Sequence, residues 1–398
     1  MSDGAPVPIS YGARLSGNAS NKLRIGLMDV QTRATEDQNS QNYAVAAFQY
    51  QVLKRSKIKG LFVNRQSTSE LADIDQHDHN RIGGLEFEYL SQDGKWSGLL
   101  LHHRSYMPGN AEKNGFTSAR MNYNARNMFF GLEASEVQEN FVADVGFTPR
   151  LDNYDGIRDT TVRIGYKELN PWVGYNFYPK TNKNINRHGP RSWAVWTLNP
   201  DGSLNERIAN FVYFINYSSG SDLRFRIFND EVELPFPIDL IGDDKFLPAG
   251  RYNFTDYSLS YNSNNRKKIS GGGEVRYGGF YNGTKFTFSS NLNIRFQPWG
   301  NFGINYTQNK VDLTEEFGIT DLHLVGARAE ISFSNTMFWT TFIQYNTQGE
   351  NLNINSRFQW RYKPMSDLFI VYSDNYATTD FGVKNRGIVF KVNYWLNL

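Results

Sequence analysis

The chain has 398 residues, of which 39% are hydrophobic and 15% aromatic, with a formal net charge of +2, a mean hydropathy of -0.56 and no cysteine. A charge this close to balance gives no general attraction to nucleic acid or to acidic partners. The lack of cysteine excludes disulfide staples, thiol catalysis and cysteine metal sites.

Read in chain order, one kind of segment recurs. The start, MSDGAPVPIS, is polar and lacks the charged start and apolar core of a secretory signal, so an exported form of this chain is expected to be a mature form or a fragment. Leu85, Phe87 and Tyr89 alternate with Gly84, Glu86 and Glu88, and Leu223, Phe225 and Ile227 alternate with Arg224 and Arg226. From Phe286 to Phe296 the residues Phe286, Phe288, Leu292, Ile294 and Phe296 share one parity, with Lys285, Thr287, Asn291, Asn293 and Arg295 on the other. Val325, Ala327, Ala329, Ile331 and Phe333 alternate with Gly326, Arg328, Glu330, Ser332 and Ser334. In LNINSRFQWRYK, Leu352, Ile354, Phe358, Trp360 and Tyr362 oppose Asn353, Asn355, Arg357, Gln359, Arg361 and Lys363. The last segment sets Ile388, Phe390, Val392, Tyr394, Leu396 and Leu398 in one register.

Period-two alternation is the signature of a strand with two unlike faces. Roughly 20 to 22 such runs are expected, most about 9 to 13 residues long against the ~5 to 6 of ordinary globular strands. Eleven residues at ~3.3 Å each, tilted by ~45°, cover roughly 25 Å along a membrane normal. Nothing approaches the ~18 consecutive apolar residues of a membrane-spanning helix. Tight polar turns at QDGK (92–95), SSGS (218–221), QPWG (297–300) and KPMS (363–366) interleave with longer loops at 32–41, 67–79, 137–157, 234–248 and 309–320. That connectivity suits a transmembrane barrel, although the phase of short and long connections slips between residues 158 and 205, around Val162 to Tyr166 or Trp172 to Tyr178. A lipid-facing Arg or Lys at the midplane costs ~2 to 4 kcal/mol. The parity carrying Arg224, Arg226, Arg295, Arg328, Arg357, Arg361 and Lys391 is therefore expected to face a wet lumen, with Trp96, Trp172, Trp299, Trp339 and Trp395 forming interfacial girdles.

The expectation is an all-β fold, an antiparallel up-and-down transmembrane β-barrel forming one domain over residues 1–398. The segment Pro6 to Thr32, with its phrases GARLSG and IGLMDVQT, and the segment Ser40 to Gln66, with SQNYAV and VNRQ, resemble a family of Bacteroidota envelope proteins. In that family a domain of unknown function follows a family-9-like carbohydrate-binding module. Similar words continue in FYPKTNKNINRHGP (177–190), LPAGRYNF (247–254), GGFYNGTKF (278–286), the stretch from Gln344 to Tyr376, and RGIVFKVNYW (386–395). The resemblance implies an outer-membrane barrel domain with no known catalytic residues. It also implies that this chain is the C-terminal part of a longer protein, whose edges near Ile9 to Leu15 and Ile388 to Leu398 need further strands as partners. The terminal residue, Leu398, departs from the aromatic end usual in barrel assembly signals.

Chemical constellations are few. The stretch ELADIDQHDHN offers Glu70, Asp73, Asp75, His77, Asp78 and His79 to a divalent metal, but without the glycine and terminal glutamate of a calcium loop, and a solvated acidic loop is the expectation. His102, His103, His188 and His323 are scattered. Glu315 and Glu316, with Asp321 at the edge of their loop, and Asp243 and Asp244 in another, would serve glycoside hydrolysis only if held about 5 to 10 Å apart in a cleft, and solvated loop acids are the expectation. No GxSxG, P-loop or HExxH occurs, and Gly271 to Gly273 reads as a flexible or bulged strand. The functional expectation is a non-enzymatic outer-membrane barrel with no catalytic, cofactor or metal site. Its expected partners are membrane lipid, the barrel assembly machinery and a glycan or envelope protein, with no nucleic acid. The alternatives are a soluble extracellular carbohydrate-binding β-protein, recognisable by shorter strands with apolar residues buried on both parities, or a polysaccharide hydrolase.

Overall fold

The computed structural model describes residues 7–35, 38–69, 78–146, 148–242, 244–379 and 381–396. The alternating segments become strands. First come β1 (Ile9–Asn18), β2 (Leu23–Thr32), β3 (Gln41–Val52), β4 (Ser56–Ser67), β5 (His79–Leu90), β6 (Trp96–Tyr106), β7 (Gly115–Asn124) and β8 (Met128–Val137). Two short strands follow, β9 (Asp152–Asp155) and β10 (Thr160–Arg163). Next are β11 (Tyr166–Tyr175), β12 (Ile185–Leu198), β13 (Leu204–Tyr217), β14 (Asp222–Leu234), β15 (Gly250–Asn262), β16 (Ile269–Phe280) and β17 (Gly283–Phe296). The chain closes with β18 (Gly300–Asp312), a one-turn helix α1 (Thr314–Phe317), β19 (Ile319–Ser332), β20 (Met337–Asn346), β21 (Asn351–Lys363), β22 (Ser366–Ala377) and β23 (Val383–Val392).

Twenty-one strands form one antiparallel sheet in up-and-down order, with β8 bonded directly to β11. The all-β antiparallel up-and-down architecture expected from the alternation is the one found. Strands β9 and β10 make a separate two-stranded sheet. They explain the slip between residues 158 and 205: Val162 belongs to this hairpin and not to the wall, while Tyr166–Tyr175 is a single wall strand. With the hairpin set aside, QDGK, SSGS, QPWG and KPMS all fall at one end of the sheet, and the five longer loops all fall at the other.

Residues opposite each other in an antiparallel pair share a face. One continuous row of the sheet runs Phe211, Ile227, Tyr257, Tyr277, Phe286 from β13 to β17, and another runs Tyr89, Gly98, Met121, Leu132, Pro171 from β5 to β11. Side chains of these rows are open to the surroundings, with Tyr257 at 52% and Met121 at 48% exposure. On the opposite parity Lys59 pairs with Glu86 and Glu88, and Arg226 reaches Ser258, Ser260 and Glu274. In β21, Phe358 lies between Trp339 and Ile370 on the apolar face, whereas Gln359 and Arg361 approach Asp367 on the polar one. Among the described residues only ten hydrophobic side chains are buried. The wall is thus large with little dry core, and its exposed apolar side chains are gathered on one face.

The apolar band has limits. Toward the short-turn end it carries Trp96, Trp339 and Trp360, with Trp299 in a turn and Trp395 just beyond β23. Toward the long-loop end it gives way to charge: Arg207 meets Asn229 and Glu231, Arg251 meets Glu231 and Glu233, and Arg386 meets Asp374. Trp172 corrects the girdle expectation, because it pairs with Gly131 and Trp193 on the polar parity and its indole covers Gly131.

Two further expectations change. The Gly271 to Gly273 run is not bulged, since β16 keeps an unbroken register with β17. A Cβ at Gly271 would meet the Asn291 carbonyl oxygen at 2.5 Å, and one at Gly272 would meet the Asn262 side chain, so these glycines let neighbouring groups lie close. Tyr394 and Leu396 lie past the end of β23, and Leu398 is outside the described residues. Strands β1 and β23 are the sheet edges. No pairing joins them among the described residues, and both are exposed along their whole length.

Candidate functional site in the lumen

The connection between β8 and β11 packs against the polar face of the sheet, the face expected to line the lumen, through Phe141 and Leu151. Its backbone is held by the wall. Asn80 Nδ2 donates to the Val142 carbonyl at 3.0 Å, Val142 N donates to Ser105 Oγ at 3.0 Å, and Ser105 Oγ donates to the Asn140 carbonyl at 3.4 Å. Arg163, inside the connection, donates to the carbonyls of Glu139 and Phe141. Phe141 and Leu151 are almost fully buried and pack with Val137 and Tyr166, with Phe116 and Ala143 beside them. The segment therefore brings its own apolar residues to a lumen wall that is locally apolar, where Val45, Leu61, Val63 and Ile82 line a space of about 560 Å³ together with Phe141 and Val145.

Two ion pairs fix the segment at separate places on the wall. Arg65 of β4 pairs with Asp144, its Nε 2.8 Å from Oδ2, and donates from Nη1 to Gln41 Oε1 at 3.0 Å, with Arg65 7% and Gln41 1% exposed. Arg150 pairs with Glu206 of β13. Removing one partner of a buried pair leaves an uncompensated charge and costs about 3 to 5 kcal/mol. Only five residues stand between Asp144 and Arg150 in sequence, so the two pairs join regions of the sheet that are distant in strand order.

The inner wall also carries ordered charge. Arg276 of β16 makes a bidentate pair with Asp256 of β15 at 2.6 and 2.7 Å and lies over the Phe228 ring. Arg187 and Arg191 of β12 both stack on Phe214 of β13. In the tight turn between β16 and β17, burial raises the Tyr281 phenol above its ordinary range, and the Glu206 and Asp230 carboxylates add to the rise. Asp93, in the turn before β6, is held below the usual carboxylate range by the Ser91 hydroxyl and the Lys95 N–H.

The residues singled out from sequence for chemistry are dispersed. Glu70, Asp73, Asp75 and His77 lie outside the described residues, as does Asp243, while Asp78 and His79 sit at the start of β5. Asp244 donates its N–H to Asp239 Oδ2 within its loop. Glu315 and Glu316 are exposed on α1, and Asp321 faces outward, accepting from Gln308 at 2.9 Å and standing 3.5 Å from His323. His102 contacts Thr117, His103 faces Glu86 in the lumen, and His188 contacts Tyr213. No group of three metal-binding side chains comes together among the described residues. Sequence reasoning missed the inward segment because its length alone does not reveal its direction. The signal available was its apolar content, Phe141, Val142, Val145 and Leu151, which is unusual for a solvated loop.

No family model and no curated protein matches the chain. Among solved structures, it is similar to the ferric-catecholate import receptor Fiu of E. coli K12 in its open form, at 9% identity and a TM-score of 0.44, over 97% of this chain and 74% of that one.

Proposed function

We propose that this protein is a non-enzymatic outer-membrane β-barrel that passes polar solutes through a lumen narrowed by the segment 138–165. One observation carries the reading: the apolar parity faces out over mid-strand while the charged parity and the inward segment share the other face. Strands of 10 to 14 residues support it, since at ~3.3 Å per residue and ~45° tilt they rise roughly 23 to 33 Å, enough for an outer membrane. The short-turn end is then periplasmic and the long-loop end extracellular. Lipid and the assembly machinery are the partners of the outer face and of folding. A glycan or envelope protein is the partner of the extracellular loops, as the resemblance to Bacteroidota envelope proteins with a carbohydrate-binding module suggests. The purified chain is expected to stay monodisperse in detergent and to shift its gel mobility on heating. In planar bilayers Asp144→Asn is expected to raise conductance by loosening the segment. Good solubility without detergent, with no heat shift, rules the proposal out.

A further inference from the structure

Near the long-loop end, a polar cavity of about 420 Å³ opens on the inner face between β13 and β18. Most of its charges are already matched. Glu206 is taken by Arg150, Asp256 by Arg276, and Glu274 by Arg226. Two are not. Asp230 of β14 has a buried Oδ1 with no hydrogen-bond partner, and Lys285 of β17 lies 5.0 Å over the Phe280 ring with no carboxylate beside it among the described residues.

Register gives the distance between them. Asp230 is opposite Phe254 of β15, and the Phe254 and Phe280 rings lie 6.0 Å apart, so all three stand at one level of the wall. Lys285 stands on β17, three strands from Asp230, but its ammonium reaches back over the Phe280 ring of β16, two strands from β14, which at ~4.8 Å per strand places the two unmatched charges roughly 10 Å apart. The floor between them is aromatic. A single small ion satisfies one of these groups and leaves the other unmatched. A solute with an ammonium at one end and a carboxylate about 10 Å away satisfies both.

We propose that this cavity binds an unblocked tripeptide, its ammonium on Asp230, its carboxylate on Lys285 and its backbone over Phe254 and Phe280. Three extended residues span about 10 Å at ~3.3 to 3.6 Å each. The cavity volume also lies in the range of roughly 300 to 1,000 Å³ usual for small-ligand sites. The inference rests on the inner face being open to solute, and its test does not depend on a membrane.

Triglycine is titrated by calorimetry into the full chain in detergent, beside N-acetyl-triglycine and triglycine amide. Saturable triglycine binding is expected, weakened at least 10-fold by either blocking group. Asp230→Asn should weaken triglycine at least 10-fold while leaving the acetylated peptide unchanged, and Lys285→Met should do the same for the amide. Heat-shifted gel mobility of both variants confirms that they fold. Absence of saturable triglycine binding overturns the proposal, as does equal binding of the blocked peptides to the unaltered chain. A folded, membrane-inserted barrel that fails to bind triglycine removes the cavity proposal and leaves the barrel reading in place.

Discussion

Adjacent residues of β6 show how sharply one position differs from the next. Leu100 points outward at 55% exposure beside Phe87 and Ala119, and Leu101 points inward opposite Glu86. Leu100→Arg is expected to destabilise the folded barrel by about 2 to 4 kcal/mol, because the guanidinium enters hydrocarbon. Leu101→Arg is expected to stay within about 1 kcal/mol, because the new cation approaches the Glu86 carboxylate at a wet wall. Urea unfolding in lipid vesicles measures both, and equal losses contradict the assigned faces. At this scale the sequence was highly legible. The parities of Arg226, Arg357, Phe358 and Trp360 followed from alternation and the cost of a charge in lipid. Trp172 is the exception: its aromatic type suggests a girdle position, whereas alternation with the outward Val173 and Tyr175 puts it on the polar face.

Elements were legible where alternation was long and hidden where it was short. Strands such as β17 and β21 run for 14 and 13 residues and announce themselves, whereas β9 and β10 have four residues each and too few turns of the period to register. Their hairpin lies within the inward segment and caused the slip in counting. The segment's direction is set by contacts distant in sequence, Arg65 with Asp144 and Arg150 with Glu206, which no local pattern encodes. Replacing residues 142 to 163 with a short Gly-Ser linker should leave β8 and β11 paired, since their ladder covers both strands fully. Planar-bilayer conductance is expected to rise several-fold and beyond that of Asp144→Asn; an unchanged conductance shows that the segment does not narrow the path.

The whole molecule is a 21-stranded wall whose stability comes from ladders between sequence neighbours, with little dry core to add to it. Among the described residues, strands β1 and β23 are each paired on one side only. In hydrogen exchange of the detergent-solubilised chain, these two strands are expected to lose protection well before β13 and β14, which are paired on both sides. Equal protection throughout indicates that the edges have found each other.

The two-faced wall is the claim on which solute passage and the inner cavity both depend. Because the chain has no cysteine, a spin label at each single cysteine introduced from residue 98 to 103 in β6 reports one position at a time in reconstituted bilayers. Positions 98, 100 and 102 are predicted to be relaxed mainly by oxygen, which partitions into lipid, and positions 99, 101 and 103 by a water-soluble nickel chelate. Accessibility to the nickel chelate at all six positions contradicts a barrel with an outward lipid face.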